Sequence, residues 1–186
     1  MTTTELARRV GILGASGTGK TTLARALAEA LRVPAYDSDD YYHEPTDPPY
    51  RVQRSPEARC ALLERDLGTS DQWVLSGGAA AWVPRPRLDF THLVFLYVPP
   101  RERLERLRLR ERRLYGSRID PGGDMADDHR AFLDWTRGYD DGTAEGTNTL
   151  AIHEALLASA TCPVLRLHGT ETVAENLARL LAALGH

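Results

Sequence analysis

The stretch that decides the fold is RVGILGASGTGKTTLARALAEALR, residues 9–32. Its first six residues form a short apolar run typical of a buried strand, and its last thirteen place Leu23, Leu27 and Leu31 at helical spacing. Between them, residues 14–21 match the pattern G-x-x-x-x-G-K-[ST] at every position. In such a loop the glycines turn backbone N–H groups toward phosphate, and the following helix adds its positive end. The stretch therefore predicts a strand, a phosphate-binding loop and a helix, in that order.

We expect this loop to bind the phosphates of ATP, or of GTP as the alternative. Lys20, the only lysine of the chain, is expected to bridge the outer phosphates, and the Thr21 hydroxyl to ligate Mg²⁺. A glycine-rich turn without a ligand is the competing interpretation, but the strand before the loop and the helix after it are the context that the motif requires. The predicted nucleotide contacts in this region are Gly14, Ala15, Ser16, Gly17, Thr18, Gly19, Lys20, Thr21 and Thr22.

Strands and helices alternate along the rest of the chain. Further strands are predicted at 33–37, 72–76, 92–98 and 164–167. Further helices are predicted at 56–67, 101–115 and 171–184, with helical pieces broken by glycines in 120–160. This alternation predicts an α/β fold of three layers, with a five-stranded parallel sheet between two layers of helices. Periodicity does not give the order of the strands.

Composition limits the class of protein. The 186 residues, 42% of them hydrophobic and 26% charged, are typical of a single globular domain, 1–186. A net charge of −3 argues against a nucleic-acid-binding protein. No apolar run approaches the roughly 20 residues that cross a bilayer, and the first residues carry no signal-peptide pattern, so we expect a cytoplasmic protein. Cys60 and Cys162 lack metal-ligand spacing and are interpreted as structural thiols.

A run of acidic residues, 37–40, follows the second predicted strand, whereas the third and fourth strands end without an acid. A solvated turn is one interpretation, because Asp and Ser favour turns. A ligand site is the second interpretation, because open α/β sheets bind ligands at the carboxyl ends of their strands. With its phosphate loop, Asp-x-Asp run, Gly-Gly after the third strand and Arg-rich segment after the fourth, the chain resembles the P-loop small-molecule kinases. It also resembles uncharacterised bacterial adenylate kinase-like P-loop ATPases, which share the stretches PGGDM and CPVLRL.

The resemblance implies roles for residues on the acceptor side. Asp37 is expected to act with Thr21 at the Mg²⁺ ion or as a catalytic carboxylate, and Asp39 to hold the substrate hydroxyl. The substrate-binding insert is expected at about 38–71. There an arginine such as Arg54 would grip an anionic group, and tyrosines would stack on a base or sugar, although each also fits a structural role. Gly77 and Gly78 match the start of the substrate-binding glycine run of shikimate kinase, and Ala79 breaks it.

An Arg-rich helix is predicted after the fourth strand. Arg103, Arg106, Arg110 and Arg113 recur at helical spacing and form one stripe, next to a stripe of Leu104, Leu107 and Leu114 that is expected to face the core. The resemblance implies a helical lid, about 101–130, whose arginines neutralise charge during phosphoryl transfer. A solvated helix with local ion pairs is the competing interpretation. The lid residues predicted to contact ATP are Arg106, Arg110, Arg113 and Arg118, with Arg110 as a catalytic residue alongside Lys20 and Asp37.

The main functional hypothesis from the sequence is an ATP- and Mg²⁺-dependent phosphotransferase. It would act on the hydroxyl (or phosphate) of a small metabolite by direct in-line transfer. A nucleoside monophosphate is a second class of acceptor that fits the same hypothesis. A non-catalytic, nucleotide-dependent sensor and a slow ATPase are two competing hypotheses. The identity of the acceptor and the oligomeric state stay open.

Overall fold

A five-stranded parallel sheet forms the centre of the fold in a computed structural model, which describes residues 8–83 and 88–185. Its strands run in the spatial order β2-β3-β1-β4-β5, and every neighbouring pair is parallel. The central position of β1 places the phosphate loop at the middle of the carboxyl edge. The strands are β1 (Arg9–Leu13), β2 (Ala35–Asp37), β3 (Trp73–Ser76), β4 (His92–Tyr97) and β5 (Val164–His168).

Seven α-helices lie within the described residues. They are α1 (Lys20–Leu31), α2 (Ser38–Tyr42), α3 (Pro56–Leu67), α4 (Pro100–Tyr115), α5 (Ala126–Arg137), α6 (Leu150–Ala158) and α7 (Val173–Ala183). Short 3₁₀ turns follow β3 at Ala79–Ala81 and α4 at Gly116–Ile119. The predicted three-layer α/β fold is confirmed.

The two faces of the sheet are covered by different helices because successive residues of a strand point to opposite sides. Ile12 and Val94 pack with leucines of α1 and α7 on one face. Leu13 and Phe95 pack with Leu157 of α6 on the opposite face, where α3 also packs over β3. The phosphate loop therefore lies at the edge of a sheet that is covered by helices on both faces.

Helix α2 was not predicted, because its sequence, SDDYY, has the composition of a turn. Asp37 caps it, since the Asp37 side chain accepts a hydrogen bond from the Asp39 backbone N–H. A five-residue helix thus follows β2 directly, and it fixes the direction of the acidic side chains.

The prediction for α4 was wrong at Leu114, which is 58% exposed. The buried positions of α4 are Arg103, Leu107 and Glu111, which recur every four residues and form the stripe that faces the protein. Leu107 of the predicted stripe is buried as expected, but the other two buried side chains are charged, so hydrophobicity alone does not define this face.

Among residues 8–83 and 88–185, no helix is long and apolar enough to cross a membrane. Residues 1–7, on which the prediction of no signal peptide depends, lie outside the described residues, as do 84–87 and 186.

Candidate nucleotide and acceptor site

The phosphate loop joins β1 to α1 and is shaped by its glycines. Gly14 adopts φ +148°, and a Cβ there would lie 2.3 Å from the Leu96 carbonyl oxygen. Gly17, at φ +83°, backs onto α4, where a Cβ would lie 2.7 Å from Leu107 Cγ. Gly19 stands at the N-cap of α1 and has no side chain, so the positive end of that helix is open to an anion.

Lys20 is folded back over the loop. Its Nζ donates a 2.6 Å hydrogen bond to the Ala15 carbonyl oxygen. Burial lowers the pKa of Lys20 to about 8, against the raising effect of Asp39 and Asp37, and Arg110 lowers it further. The ammonium group of Lys20 is half-buried, has a lowered pKa and lies in a loop of backbone N–H groups, so a bound phosphate would stabilise its charge strongly.

Thr21 and Asp37 meet beside this lysine. The Thr21 hydroxyl donates to Asp37 Oδ2 at 2.6 Å, which joins the first turn of α1 to the end of β2. A hydroxyl and a carboxylate are the oxygen ligands that Mg²⁺ takes from a protein when phosphates and water supply the rest. These two residues, predicted as the metal ligands, therefore fit the ion. The described residues contain no group of three or more His, Cys, Asp or Glu side chains arranged to bind a metal.

Asp39 and Asp40 lie on α2 beside Asp37. Burial, and then the charge of Asp37, raise the pKa of both carboxyls, and Lys20 opposes this shift at Asp39. Asp39 is thus a carboxylate of increased basicity within electrostatic range of the phosphate-loop lysine.

Gly77 and Gly78, predicted to bind substrate, join β3 to α2 and β1. The Gly78 N–H donates to Ser38 Oγ at 3.0 Å, and the Gly77 N–H donates to the Ile12 carbonyl oxygen at 3.0 Å. A Cβ on Gly77, which has φ +103°, would lie 2.0 Å from Ser38 Oγ. Both N–H groups are thus used within the protein, and a direct contact with substrate stays a prediction.

The chain after α2 turns back as a short antiparallel loop. His43 pairs with Gln53, and the Arg54 N–H donates to the Tyr42 carbonyl oxygen at 2.9 Å. The Arg54 Nη1 donates to the carbonyl oxygens of Asp40, Tyr41 and His43. Arg54 therefore holds the base of this loop, and its predicted role in substrate binding stays untested.

The predicted arginine stripe of α4 divides in the structure. The Arg103 side chain is completely buried and donates to Asp140 Oδ2 at 2.7 Å and to the Thr136 carbonyl oxygen at 3.1 Å. Arg110 lies close enough to Lys20 to lower its pKa, and Arg113 is exposed. Only part of the stripe therefore faces the phosphate loop.

Arg106 borders a cavity of about 300 Å³ next to the phosphate loop. Its Nη1 donates to the Gly169 carbonyl oxygen at 2.8 Å, and its Nη2 pairs with Glu102. The cavity opens beside the end of β5, where the base of a nucleotide would extend from the loop. Its polar lining also includes Thr18, Thr22, Thr172 and Asn176.

Arg118 connects the segment after α4 to the acceptor-side loop. Its Nη2 lies 2.8 Å from both Asp47 and Asp124. Arg51 forms a second connection, from its Nε to Asp128 Oδ2 at 2.9 Å. The pairs Arg118–Asp47 and Arg51–Asp128 join the predicted insert to the predicted lid, so Arg118 lies in the predicted lid but is paired with protein carboxylates.

A buried polar cluster under the loop was not predicted. The Arg103 guanidinium lies over the Tyr139 ring at 4.8 Å, and the Tyr139 hydroxyl lies 2.8 Å from His153 Nδ1. Burial lowers the pKa of His153 to about 4, and the charge of Lys20 adds to that shift. The partners come from a segment without a sequence motif, 120–160, so no local signal indicated them.

The comparisons with known proteins agree with this architecture. A family model described as an AAA domain matches residues 10–128. The chain belongs to this P-loop family. The uncharacterized protein YqaC of Bacillus subtilis (strain 168) is 37% identical over 174 residues, which cover 94% of this chain and 96% of that protein. A cytidylate kinase of Pyrobaculum arsenaticum is 29% identical over 116 residues, 55% of this chain and 60% of that protein.

Solved kinase structures share the fold of this P-loop protein. A gluconokinase from Sinorhizobium meliloti 1021 superposes with a TM-score of 0.52 at 18% identity, covering 96% of this chain and 95% of that one. A shikimate kinase from Bacteroides thetaiotaomicron gives a TM-score of 0.54 at 19% identity, covering 96% and 99%. The predicted resemblance to P-loop small-molecule kinases is confirmed at the level of the fold.

Proposed function

We propose that this protein is an ATP- and Mg²⁺-dependent phosphotransferase that transfers the γ-phosphoryl group in line to a hydroxyl of a small molecule. The observation that carries the proposal is the contact between Thr21 and Asp37 at 2.6 Å next to Lys20, with Asp39 beside them. It joins the residue types that phosphoryl transfer requires: a phosphate-binding lysine, a pair of Mg²⁺ ligands and a carboxylate on the acceptor side.

Each residue has a distinct part in this reaction. Lys20 and Arg110 hold the negative oxygens of the transferring group, and this electrostatic stabilisation is the main requirement of phosphoryl transfer. Mg²⁺ at Thr21 and Asp37 would neutralise charge on the β- and γ-phosphates. Asp39, on α2 beside Asp37, accepts a hydrogen bond from the acceptor hydroxyl and takes its proton. The new bond joins the acceptor oxygen to the γ-phosphorus, the bond to the bridging oxygen breaks, and ADP leaves.

The predicted insert (38–71) and lid (101–130) form the two sides of the cleft in this proposal. The ion pairs of Arg118 with Asp47 and of Arg51 with Asp128 connect these two sides. Arg106 and the adjoining cavity bind the base, with ATP rather than GTP as the proposed donor. We propose a cytoplasmic location, as predicted from the sequence, and we expect neither nucleic acid nor a membrane as partner.

A coupled ADP-release assay with Mg-ATP and a panel of hydroxylated metabolites tests the proposal. ADP release should be stimulated by one class of acceptor and should fall about 10²- to 10³-fold in Lys20→Ala, the range for loss of one preorganised electrostatic group. Within residues 8–83 and 88–185, the side-chain hydrogen bond of Lys20 goes to its own loop, so the variant should keep its fold. The matched control is Arg101→Ala, an exposed position of α4, which should keep full activity. ATP binding without release of ADP by any acceptor would favour a nucleotide-dependent sensor, and full activity of Lys20→Ala would refute its role.

A further inference from the structure

A strip of four aromatic rings lies beside α2, the helix that carries the proposed acceptor carboxylate Asp39. Trp82, Tyr42, His43 and Tyr50 follow one another with centroid distances of 5.9, 5.0 and 5.3 Å. We call this set the aromatic strip. It lies in the predicted insert and its border with the turn after β3, and the proposed chemistry of the phosphate site makes no use of it.

The strip and the acceptor carboxylate share one face of α2. Asp39 and Tyr42 occupy positions i and i+3 of the helix, which lie on the same side, and His43 is the extended residue that ends the helix. The charge of Asp39 acts on both His43 and Tyr50, so the end of the strip also lies near this carboxyl. A molecule whose hydroxyl binds Asp39 would therefore lie along the rings.

The side chain of Tyr50 is exposed to solvent rather than packed in the protein. Its side chain is 57% exposed and its backbone has φ +67°, a conformation that few residues other than glycine adopt. The loop that carries it is held by the Arg54 contacts and by the ion pair of Arg51 with Asp128. An exposed tyrosine ring on a loop held in this way is a stacking surface whose backbone has little conformational entropy left to lose.

The charges around the strip favour an uncharged acceptor. Arg59 lies over the rings of Tyr42 and Trp82, with its Cζ 4.1 and 5.0 Å from their centroids, and braces that end of the strip by cation–π contact. The floor next to it carries the carboxylates of Asp37, Asp39 and Asp40, which repel a phosphate dianion.

Three arginines of the predicted insert and lid, Arg51, Arg54 and Arg118, are paired within the protein, whereas Arg59 lies over the rings of Tyr42 and Trp82. Arg54 donates to backbone carbonyl oxygens, and Arg51 and Arg118 pair with carboxylates. The acceptor side thus offers a hydrogen-bonding carboxylate and stacking rings rather than an open anion site.

We infer that the acceptor is a nucleoside, a planar base joined to a sugar with a free hydroxyl. The base stacks on the aromatic strip while the sugar hydroxyl binds Asp39. This inference rests on the proposed function for the phosphoryl transfer but not for the binding, because the strip would hold the base whether or not transfer follows. Base–aromatic stacking strengthens binding by about 5- to 140-fold per base.

The test is a binding titration with the donor site filled. The protein is saturated with Mg²⁺ and a non-hydrolysable ATP analogue, so that the cavity at Arg106 is occupied. Uridine, cytidine and thymidine are then titrated by calorimetry, with ribose and deoxyribose as base-free controls and CMP, gluconate and shikimate as charged ones. At least one nucleoside should bind about 5-fold or more tightly than its sugar.

Variants of the strip separate stacking from a general effect on the fold. Tyr50→Ala and Tyr42→Leu should weaken nucleoside binding by about 5- to 140-fold and leave ribose binding and affinity for the ATP analogue unchanged. Tyr50→Phe keeps the ring and should keep the affinity. Phe132→Leu, which alters a stacked pair with Trp135 on α5, is the aromatic control and should bind as the wild type does.

The outcomes distinguish the two proposals. Tight binding of CMP, gluconate or shikimate with none of a nucleoside, or ADP release with those acceptors alone, would overturn the nucleoside inference and leave the phosphotransferase standing. Nucleoside binding that depends on Tyr50, without ADP release by any acceptor, would uphold nucleoside binding at the strip and refute phosphoryl transfer, so the nucleoside would be a ligand and not an acceptor. Equal affinity for nucleoside and free sugar would overturn the nucleoside inference as well.

Discussion

Replacement of Arg103 by methionine should destabilise the protein strongly, although no side chain that touches the proposed substrates is changed. The Arg103 side chain is 0% exposed and its partner Asp140 is 23% exposed, at 2.7 Å. Breaking a buried ion pair by removing one partner costs about 3–5 kcal/mol, because the remaining charge stays buried. Asp140 keeps part of its surface in water, so we expect the lower end, about 3 kcal/mol. For a chain of this size, that corresponds to a fall in Tm of about 6–12 °C.

The assay is urea unfolding of a double-mutant cycle. Arg103→Met should lower the free energy of unfolding by about 3 kcal/mol, whereas Arg103→Met with Asp140→Leu should recover most of this, because no unpaired charge remains. Arg101→Met, on the exposed side of α4, is the control and should change stability by less than about 0.5 kcal/mol. A cost below about 1 kcal/mol for Arg103→Met, or a double variant as unstable as the single one, would refute the reasoning.

Three further predictions concern the donor site. Gly17→Ala should weaken ATP binding at least tenfold in calorimetry, because the added Cβ would push the phosphate loop away from α4. Gly122→Ala is the control and should bind ATP normally, because Gly122 also has a positive φ, +87°, but has open space around it. ATP affinity measured from pH 7 to 9 should fall as the pH rises through about 8, because the Lys20 ammonium loses its proton there. Lys20→Arg should remove this pH dependence, because arginine stays charged. A flat pH profile for the wild type would contradict the prediction. Arg106→Ala should weaken ATP binding by about tenfold, whereas Arg108→Ala, at an exposed position, should leave it unchanged. Equal effects of the two variants would show that Arg106 does not bind the base.

The sheet and the phosphate loop were predictable because their signals are local. The loop motif is contiguous, and each strand is an apolar run bounded by turn residues, as in 72–76 before Gly77. The order of the strands was not predictable, because it depends on crossovers between distant parts of the chain. Helix α2 was missed for the opposite reason, since its local composition favours a turn and the capping by Asp37 stabilises a helix instead.

The candidate site was predictable only in part. Contacts within the motif, such as Lys20 on its own loop, follow from sequence spacing. The Thr21–Asp37 contact depends on the neighbouring position of two elements, which the resemblance supplied. The partners of Arg103 lie 33 and 37 residues further along the chain, and such non-local pairs leave no periodic signal. A charged residue on the buried stripe of α4 is also the reverse of what a hydrophobic pattern predicts.

The buried stripe of α4 limits where the predicted lid segment could be replaced by that of another protein. Arg103 and Leu107 pack against the phosphate loop at Gly17. Glu111 continues the same stripe, and its Oε2 lies 3.8 Å from His129 Nδ1. The first three turns of α4 thus pack against the phosphate loop, and a foreign lid segment would leave this contact intact only if it began beyond residue 111. A chimera that joins a foreign lid after 111 should keep a sound donor site. One joined at residue 100 would need its own matching phosphate loop, so these two segments are expected to evolve as one unit.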